Sequence, residues 1–147
     1  MDYSLAVLKV FASQLADSTE APSSEGSSAA QMLFNVRFQR AWVQGVILSA
    51  DYDEADEGRL LLDDGSCIAE LFLPSSKAEG RLWRAGMYVM VIGAYVAPES
   101  KDNYPTIKVH KMVDLSSQPD REAMWHMEVA EAYNFFYLPF SVGGPAS

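Results

Sequence analysis

At 147 residues the chain is long enough for one domain and too short for two ordinary ones, and 49% hydrophobic residues are enough for a core. Its 11 Lys and Arg against 20 Asp and Glu leave a net charge of -9, which disfavours a phosphate grip by this chain alone, since such grips depend on cations that release counterions. Lone Cys67 excludes an intrachain disulfide and suits a reducing compartment, and no leader pattern or apolar run of ~18–20 residues points to secretion or a membrane span, so a soluble intracellular protein is expected.

Tyr3–Leu15 predicts a short helix, because Leu5, Leu8, Ala12 and Leu15 fall at i, i+3, i+7 and i+10 on one stripe with Lys9 off its edge. Residues 17–30, rich in Ser, Ala and Gly and lacking large apolar side chains, predict a flexible linker. Strand signals begin at Phe34. The run Phe34–Ser49 is long, aromatic and β-branched, and Gly45 inside it marks a bulge or bend. After the acidic loop Asp51–Gly58, Arg59–Asp64 and Ser66–Leu73 flank the hairpin signal Asp64-Gly65. The polar stretch after Pro74 has room for one helical turn. Met87–Val96 is the strongest buried strand, Gly93 offers a second bend, and Thr106–Met112 alternates as the last strand.

The closing helix starts near Ser117 to Pro119, where Pro suits a first turn and Asp120 and Glu122 suit the positive end of the dipole. It runs to about Tyr133 and leaves an irregular tail. A long first strand bent at a glycine can serve two neighbours, and five strands with a helix before and after them match an OB-fold, a five-stranded Greek-key barrel. A two-sheet sandwich usually needs about seven strands. The expected organisation is an N-terminal helix over 1–16, a Ser-rich linker over 17–31, the OB-fold with its C-terminal interaction helix over 32–136, and a tail over 137–147.

Trp125 dominates the last helix. Helical spacing puts Val129, Ala132 and Phe136 on its side, with Met124 and Met127 flanking. Adaptable Met and large aromatics are favoured at protein contacts, so this stripe is a candidate interface, while a Trp sealing the underside of the barrel is the plainer role. Trp42 reads as core, with Gln44 satisfying backbone groups at the bend. The carboxylates Asp51, Asp53, Glu54, Asp56 and Glu57 lack the ligand order of a calcium loop, and His110, His126 and Cys67 are too few for zinc. No nucleophile triad or phosphate-binding glycine loop is present, so neither a cofactor, a metal nor catalysis is expected.

Several segments carry a resemblance: Leu8-Lys9-Val10 with Gln14-Leu15, Trp42-x-Gln44-Gly45, and Tyr88-Val89-Met90-Val91-x-Gly93. The most specific is Lys111-Met112-x-Asp114-Leu115-Ser116 followed by Pro119, Glu122, Trp125, Glu128 and Val129. In this order and spacing the chain resembles the RecQ-mediated genome instability protein 2 family of small OB-fold subunits. The resemblance implies a nuclear, non-catalytic subunit that pairs with an OB domain of the larger RecQ-mediated genome instability subunit. The pair works with a type IA topoisomerase and a Bloom-type RecQ helicase to dissolve recombination intermediates, and the small subunit contributes little DNA binding. It also implies a partner contact through Lys9 and Trp125, to which the helix stripe adds Met124 and Val129. Ala85-Gly86 stands where the family usually shows Pro-Gly. The alternative is an OB-fold that binds single-stranded nucleic acid directly, with Tyr88, Tyr95 and Tyr104 for stacking and Arg37, Arg40, Lys101, Lys108 and Lys111 as the cation stripe.

Overall fold

The computed structural model describes residues 5, 7–20, 30–34, 36–100 and 103–138. In chain order they form β1 (Val7–Lys9), α1 (Ala12–Ala16), β2 (Thr19–Glu20), β3 (Gln31–Leu33), β4 (Val36–Phe38), β5 (Arg40–Tyr52), β6 (Gly58–Asp63), β7 (Ile68–Leu73), β8 (Tyr88–Val96), β9 (Thr106–Asp114) and α2 (Pro119–Ala132). A 3-10 turn, Ser75–Lys77, lies between β7 and β8, and a wider π-type turn, Tyr133–Tyr137, extends α2.

Strands β5-β6-β7-β9-β8 run side by side, and a further pairing of β5 with β8 closes them into a five-stranded barrel. All the barrel pairings are antiparallel except β7 with β9. This is the expected OB-fold. Closure depends on the 13-residue β5, whose Arg40–Val46 part pairs with β8 and whose Val46–Tyr52 part pairs with β6. Period-two alternation sends Val43, Ile47, Leu60, Leu62, Leu71, Val89, Val91, Ile107 and Val109 into the barrel.

Glycine is required where strands cross closely. A Cβ on Gly45 would fall 2.8 Å from the carbonyl carbon of Asp63 and 3.0 Å from the Cα of Asp64. A Cβ on Gly93 would fall 2.8 Å from Ile107 Cγ2 and 2.9 Å from the Lys108 carbonyl carbon. Bulges sit nearby. The β5–β6 register shifts between Ile47 and Ser49, leaving Leu48 exposed, and the β8–β9 register shifts between Ile92 and Gly93.

The N-terminal segment departs from expectation. Of the helix expected over 1–16, Val7–Lys9 are instead strand β1, parallel to Arg40–Trp42 of β5, Ala12–Ala16 form the short α1, and residues 1–4 and 6 lie outside the described set. Val7 and Val10 are β-branched, and the open edge of β5 offers them a ladder, so a distant partner overrides the local stripe. Helix α1 then starts where the Asp64 carboxylate accepts the Ala12 N–H at 2.6 Å and the Gln14 side chain accepts the Phe11 N–H at 2.8 Å. Of the linker expected over 17–31, Thr19–Glu20 and Gln31 are strand residues paired with each other's strands, and residues 21–29 lie outside the described set.

The strand expected from Phe34 begins later, because Phe34 has φ 56 and turns the chain from β3 back into β4. Its ring packs 4.9 Å from that of Tyr133 and 5.5 Å from that of Tyr137, contacts that hold the strained turn in place. The tail expected over 137–147 starts later as well. Tyr137 is buried, and residues 139–147 lie outside the described set.

Gly45→Ala drives a methyl group into the backbone of Asp63 and Asp64 and should cost on the order of 1–3 kcal/mol, the usual range for overpacking. Urea denaturation should show a lower midpoint at unchanged slope. A midpoint equal to that of the parent chain would contradict the close crossing.

Candidate partner-binding surface

Helix α2 carries Pro119 in its first turn with Asp120 and Glu122 at the positive end, as the sequence pattern requires. Trp125, Val129 and Ala132 form its buried stripe. The next residue in α-helical spacing is Phe136, yet Phe136 is 66% exposed and Tyr137 is buried. The reason is the turn at the helix end. The N–H of Leu138 bonds to the carbonyl of Tyr133, five residues back, so an extra residue enters the turn and Tyr137 rotates onto the inner face.

The buried stripe sits on β1 and β5. Trp125 stacks on Trp42 with ring centroids 6.4 Å apart and planes 26° from parallel, and meets Phe11 edge-on at 6.5 Å. The Lys9 ammonium lies 4.2 Å from the centre of the Trp42 ring and 6.0 Å from that of Trp125, a cation held over two indoles. The Tyr137 hydroxyl accepts from the Lys9 N–H at 2.9 Å and donates to the Lys9 carbonyl at 3.2 Å. One side chain thereby satisfies both backbone groups of Lys9 and blunts the outer edge of β1.

Below the two indoles runs a polar chain. Trp42 Nε1 donates to Gln44 Oε1 at 3.3 Å, Arg121 Nη2 donates to the same oxygen at 3.5 Å, and Gln44 Nε2 donates to the Tyr88 hydroxyl at 3.3 Å. Burial raises the phenols of Tyr88 and Tyr137 above their ordinary pKa, against the lowering effect of their hydrogen bonds to Gln44 and Lys9. Both therefore remain protonated across the physiological range. Three atoms on the same side of α2, Arg121 Nε, Trp125 Nε1 and Glu128 Oε2, are buried with no hydrogen-bond partner in the chain.

The expected contact residues separate into two groups. Trp125 and Val129, expected at a partner contact, are each 1% exposed and face the barrel, where they hold the helix down. Lys9 is half-buried on β1, a strand residue where a helical one was expected. Met124 is 51% exposed, and with it stand Met127 at 65% and Phe135 at 72%. Sequence spacing found the two Met residues but could not find Phe135 and Phe136 as outward groups, since it contains no signal for the widened turn.

The acidic loop is organised from within. Asp53 Oδ1 accepts the N–H groups of Ala55 and Glu57 at 2.8 and 3.0 Å, and Arg81 reaches Asp56 Oδ1 at 2.6 Å and the Asp53 carbonyl at 2.9 Å. Among the described residues no group of three or more His, Cys, Asp or Glu side chains is placed to hold a metal, and no helix is long and apolar enough to cross a membrane.

A family model described as RecQ-mediated genome instability protein 2 matches residues 6–133. The chain belongs to that family. It is 30% identical over 133 residues to the Mus musculus protein of that name, covering 86% of this chain and 81% of that one. It is 31% identical over 139 residues to the Bos taurus protein, covering 92% and 83%. With the Gallus gallus protein it shares 34% identity over 93 residues, which is 63% of this chain and 64% of the relative.

Solved structures agree on the fold alone. A chain of the S. pombe Stn1–Ten1 complex is similar with a TM-score of 0.77 at 14% identity, covering 95% of this chain and 98% of its own. A chain of a replication protein A heterotrimer bound to single-stranded DNA gives 0.62 at 14%, covering 88% and 96%. This family member is thus an OB-fold protein of a genome-stability family.

Trp125→Ala removes the centre of the helix seat and should lower folding stability by about 3–5 kcal/mol, the range for a buried aromatic. Tyr137→Phe leaves the Lys9 backbone groups unsatisfied and should cost about 1–3 kcal/mol. Scanning calorimetry reads both. A Trp125→Ala protein with an unchanged melting temperature would contradict the intramolecular seat.

Proposed function

We propose that this chain is a non-catalytic OB-fold subunit that pairs with an OB domain of a larger RecQ-mediated genome instability subunit. Through that pair it supports a Bloom-type RecQ helicase and a type IA topoisomerase in dissolving recombination intermediates in the nucleus. The observation that carries this reading is the outer side of the last helix. With Trp125, Val129, Ala132 and Tyr137 turned to the barrel, the helix and its final turn leave Met124, Met127, Phe135 and Phe136 exposed, four large apolar groups on an acidic chain. Exposed apolar groups of this size mark interaction surfaces, and Met and Phe are enriched at them.

Membership of the family supports the choice of partner. In this reading Met124 touches the partner, Lys9 borders the contact, and Trp125 and Val129 hold the surface in position.

Affinity capture of the tagged chain from native cells, followed by mass spectrometry, should recover a larger OB-bearing subunit and a type IA topoisomerase. Recovery of neither would sink the assignment. Met124→Glu combined with Phe135→Glu should weaken binding to the larger subunit by about 2–4 kcal/mol, roughly thirty- to a thousand-fold, with little change in melting temperature. Lys9→Ala should cause a smaller loss. Full-strength binding by the Met124/Phe135 variant would remove the outer helix from the interface.

A further inference from the structure

Between β7 and β8 the chain leaves the barrel and returns, and both ends of this crossover are fixed. Ala78 is fully buried at one end, and at the other the N–H of Gly86 donates to the Ile47 carbonyl at 2.8 Å. The stretch between them starts with three left-handed residues in a row, Glu79 at φ 50, Gly80 at φ 68 and Arg81 at φ 63. Gly80 adopts this conformation freely. In Glu79 and Arg81 the Cβ crowds the following carbonyl, so their backbone is strained.

One side chain ties this stretch to the loop between β5 and β6. Arg81 Nε donates to Asp56 Oδ1 at 2.6 Å, and Arg81 Nη2 donates to the Asp53 carbonyl at 2.9 Å. The same guanidinium lies 5.8 Å from the centre of the Tyr52 ring, whose hydroxyl donates to the Trp83 carbonyl at 2.6 Å. Asp56 is itself left-handed at φ 62, so both ends of the ion pair sit on strained backbone. The two side chains are 49% and 53% exposed, and a pair so open to water is weak and screened by salt. Strained residues persist only where their surroundings hold them. The other restraint is Trp83, which is 3% exposed and donates from Nε1 to the Lys77 carbonyl at 3.1 Å.

We propose that residues 79–85 form a lid and that the Arg81–Asp56 ion pair is its catch. Strain at Glu79 and Arg81 drives the lid open, while the catch and the buried Trp83 ring hold it shut. Release frees the Asp56 carboxylate, the Asp53 carbonyl and one face of Tyr52 together. Tyr52 and Asp53 also line a cavity of about 200 Å³ with Asp51, Glu57 and Phe72, and opening joins the uncovered ring face to that cavity. None of the residues that seat the last helix belongs to the lid, so the inference stands whichever partner that helix takes.

The test is hydrogen exchange of the full-length, isotope-labelled chain followed by NMR. Two protons report on the lid, the Leu82 N–H, which donates to the Ala78 carbonyl at 3.2 Å across the left-handed run, and the Trp83 indole N–H. Asp56→Asn removes the charge and keeps a residue that tolerates left-handed backbone. It should speed exchange of both protons about two- to fivefold, the factor an exposed ion pair supplies. Raising salt from ~0.05 to ~1 M should speed them in the parent chain and leave the Asp56→Asn variant unchanged. Glu79→Gly relieves strain with the catch intact and should slow them at least ~2-fold. Arg59→Gln breaks the other exposed pair, Arg59–Glu70, and should leave both protons unchanged. Equal rates in Asp56→Asn and the parent, or faster exchange in Glu79→Gly, would overturn the proposal. Equal acceleration in the β5–β8 ladder would overturn it as well, because the whole barrel would then be opening.

Discussion

At Val46 the strand β5 exchanges one neighbour for another, pairing with Tyr88 of β8 and with Asp63 of β6 at the same residue. Two ladders can meet there because Gly45 has no side chain to keep the Asp63 carbonyl at a distance. Everything outside the barrel is arranged from this crossing. It leaves Arg40–Trp42 with an edge that β1 fills, which places Lys9 opposite Trp42. It also buries Gln44, whose amide must then be satisfied, and the partners it takes are Trp42, Tyr88 and Arg121 from the last helix. The seat of α2 is therefore a consequence of barrel closure.

The barrel strands were legible because their information is local. The hairpin signal between Arg59–Asp64 and Ser66–Leu73, the continuous apolar run Met87–Val96 and the alternation in Thr106–Met112 mark the strands directly, and the structure moves their ends by no more than two residues. The first segment was not legible, since its stripe of Leu5, Leu8, Ala12 and Leu15 fits a helix and nothing nearby in sequence reveals the open edge of β5. Phe34 misled for a related reason. Its aromatic character suggests a strand, while the contacts that hold it at positive φ come from Tyr133 and Tyr137, about a hundred residues away.

The last helix shows how much of a site can be read and where reading stops. Its amphipathic stripe singles out Trp125 and Val129, and both are buried in the structure. Spacing alone cannot say whether the surface they meet belongs to the same chain or to another, and here it is Trp42, Phe11 and the barrel. The outward ridge depends on one extra residue in the final turn. If Tyr133–Tyr137 were α-helical, Phe136 would take the inner position. The widened turn instead gives Tyr137, whose hydroxyl can satisfy Lys9, to the interior, and leaves the wholly apolar Phe136 outside. A polar tip was required inward, so an apolar ring was displaced outward, and the candidate surface gained it.

Net charge is the property for which the sequence was least informative about place. An average of -9 describes how the whole chain meets a distant polyanion, but contacts are made by a few side chains within a Debye length of ~10 Å. Folding sorts those side chains unevenly. Asp53 and Asp56 are tied into their own loop with Arg81, Glu70 is tied to Arg59, and the carboxylates of residues 51–57 collect at one end of β5 and β6. On the outer face of β9 and β5, two strands distant in sequence bring Lys108 and Arg40 to flank one residue of β8, with the Arg40 guanidinium donating to the Leu5 carbonyl at 3.1 Å. The bulge at His110 also prevents Lys111 from turning inward. An acidic protein can therefore bring a few cations together against the sign of the chain as a whole, and their range is limited to direct contact.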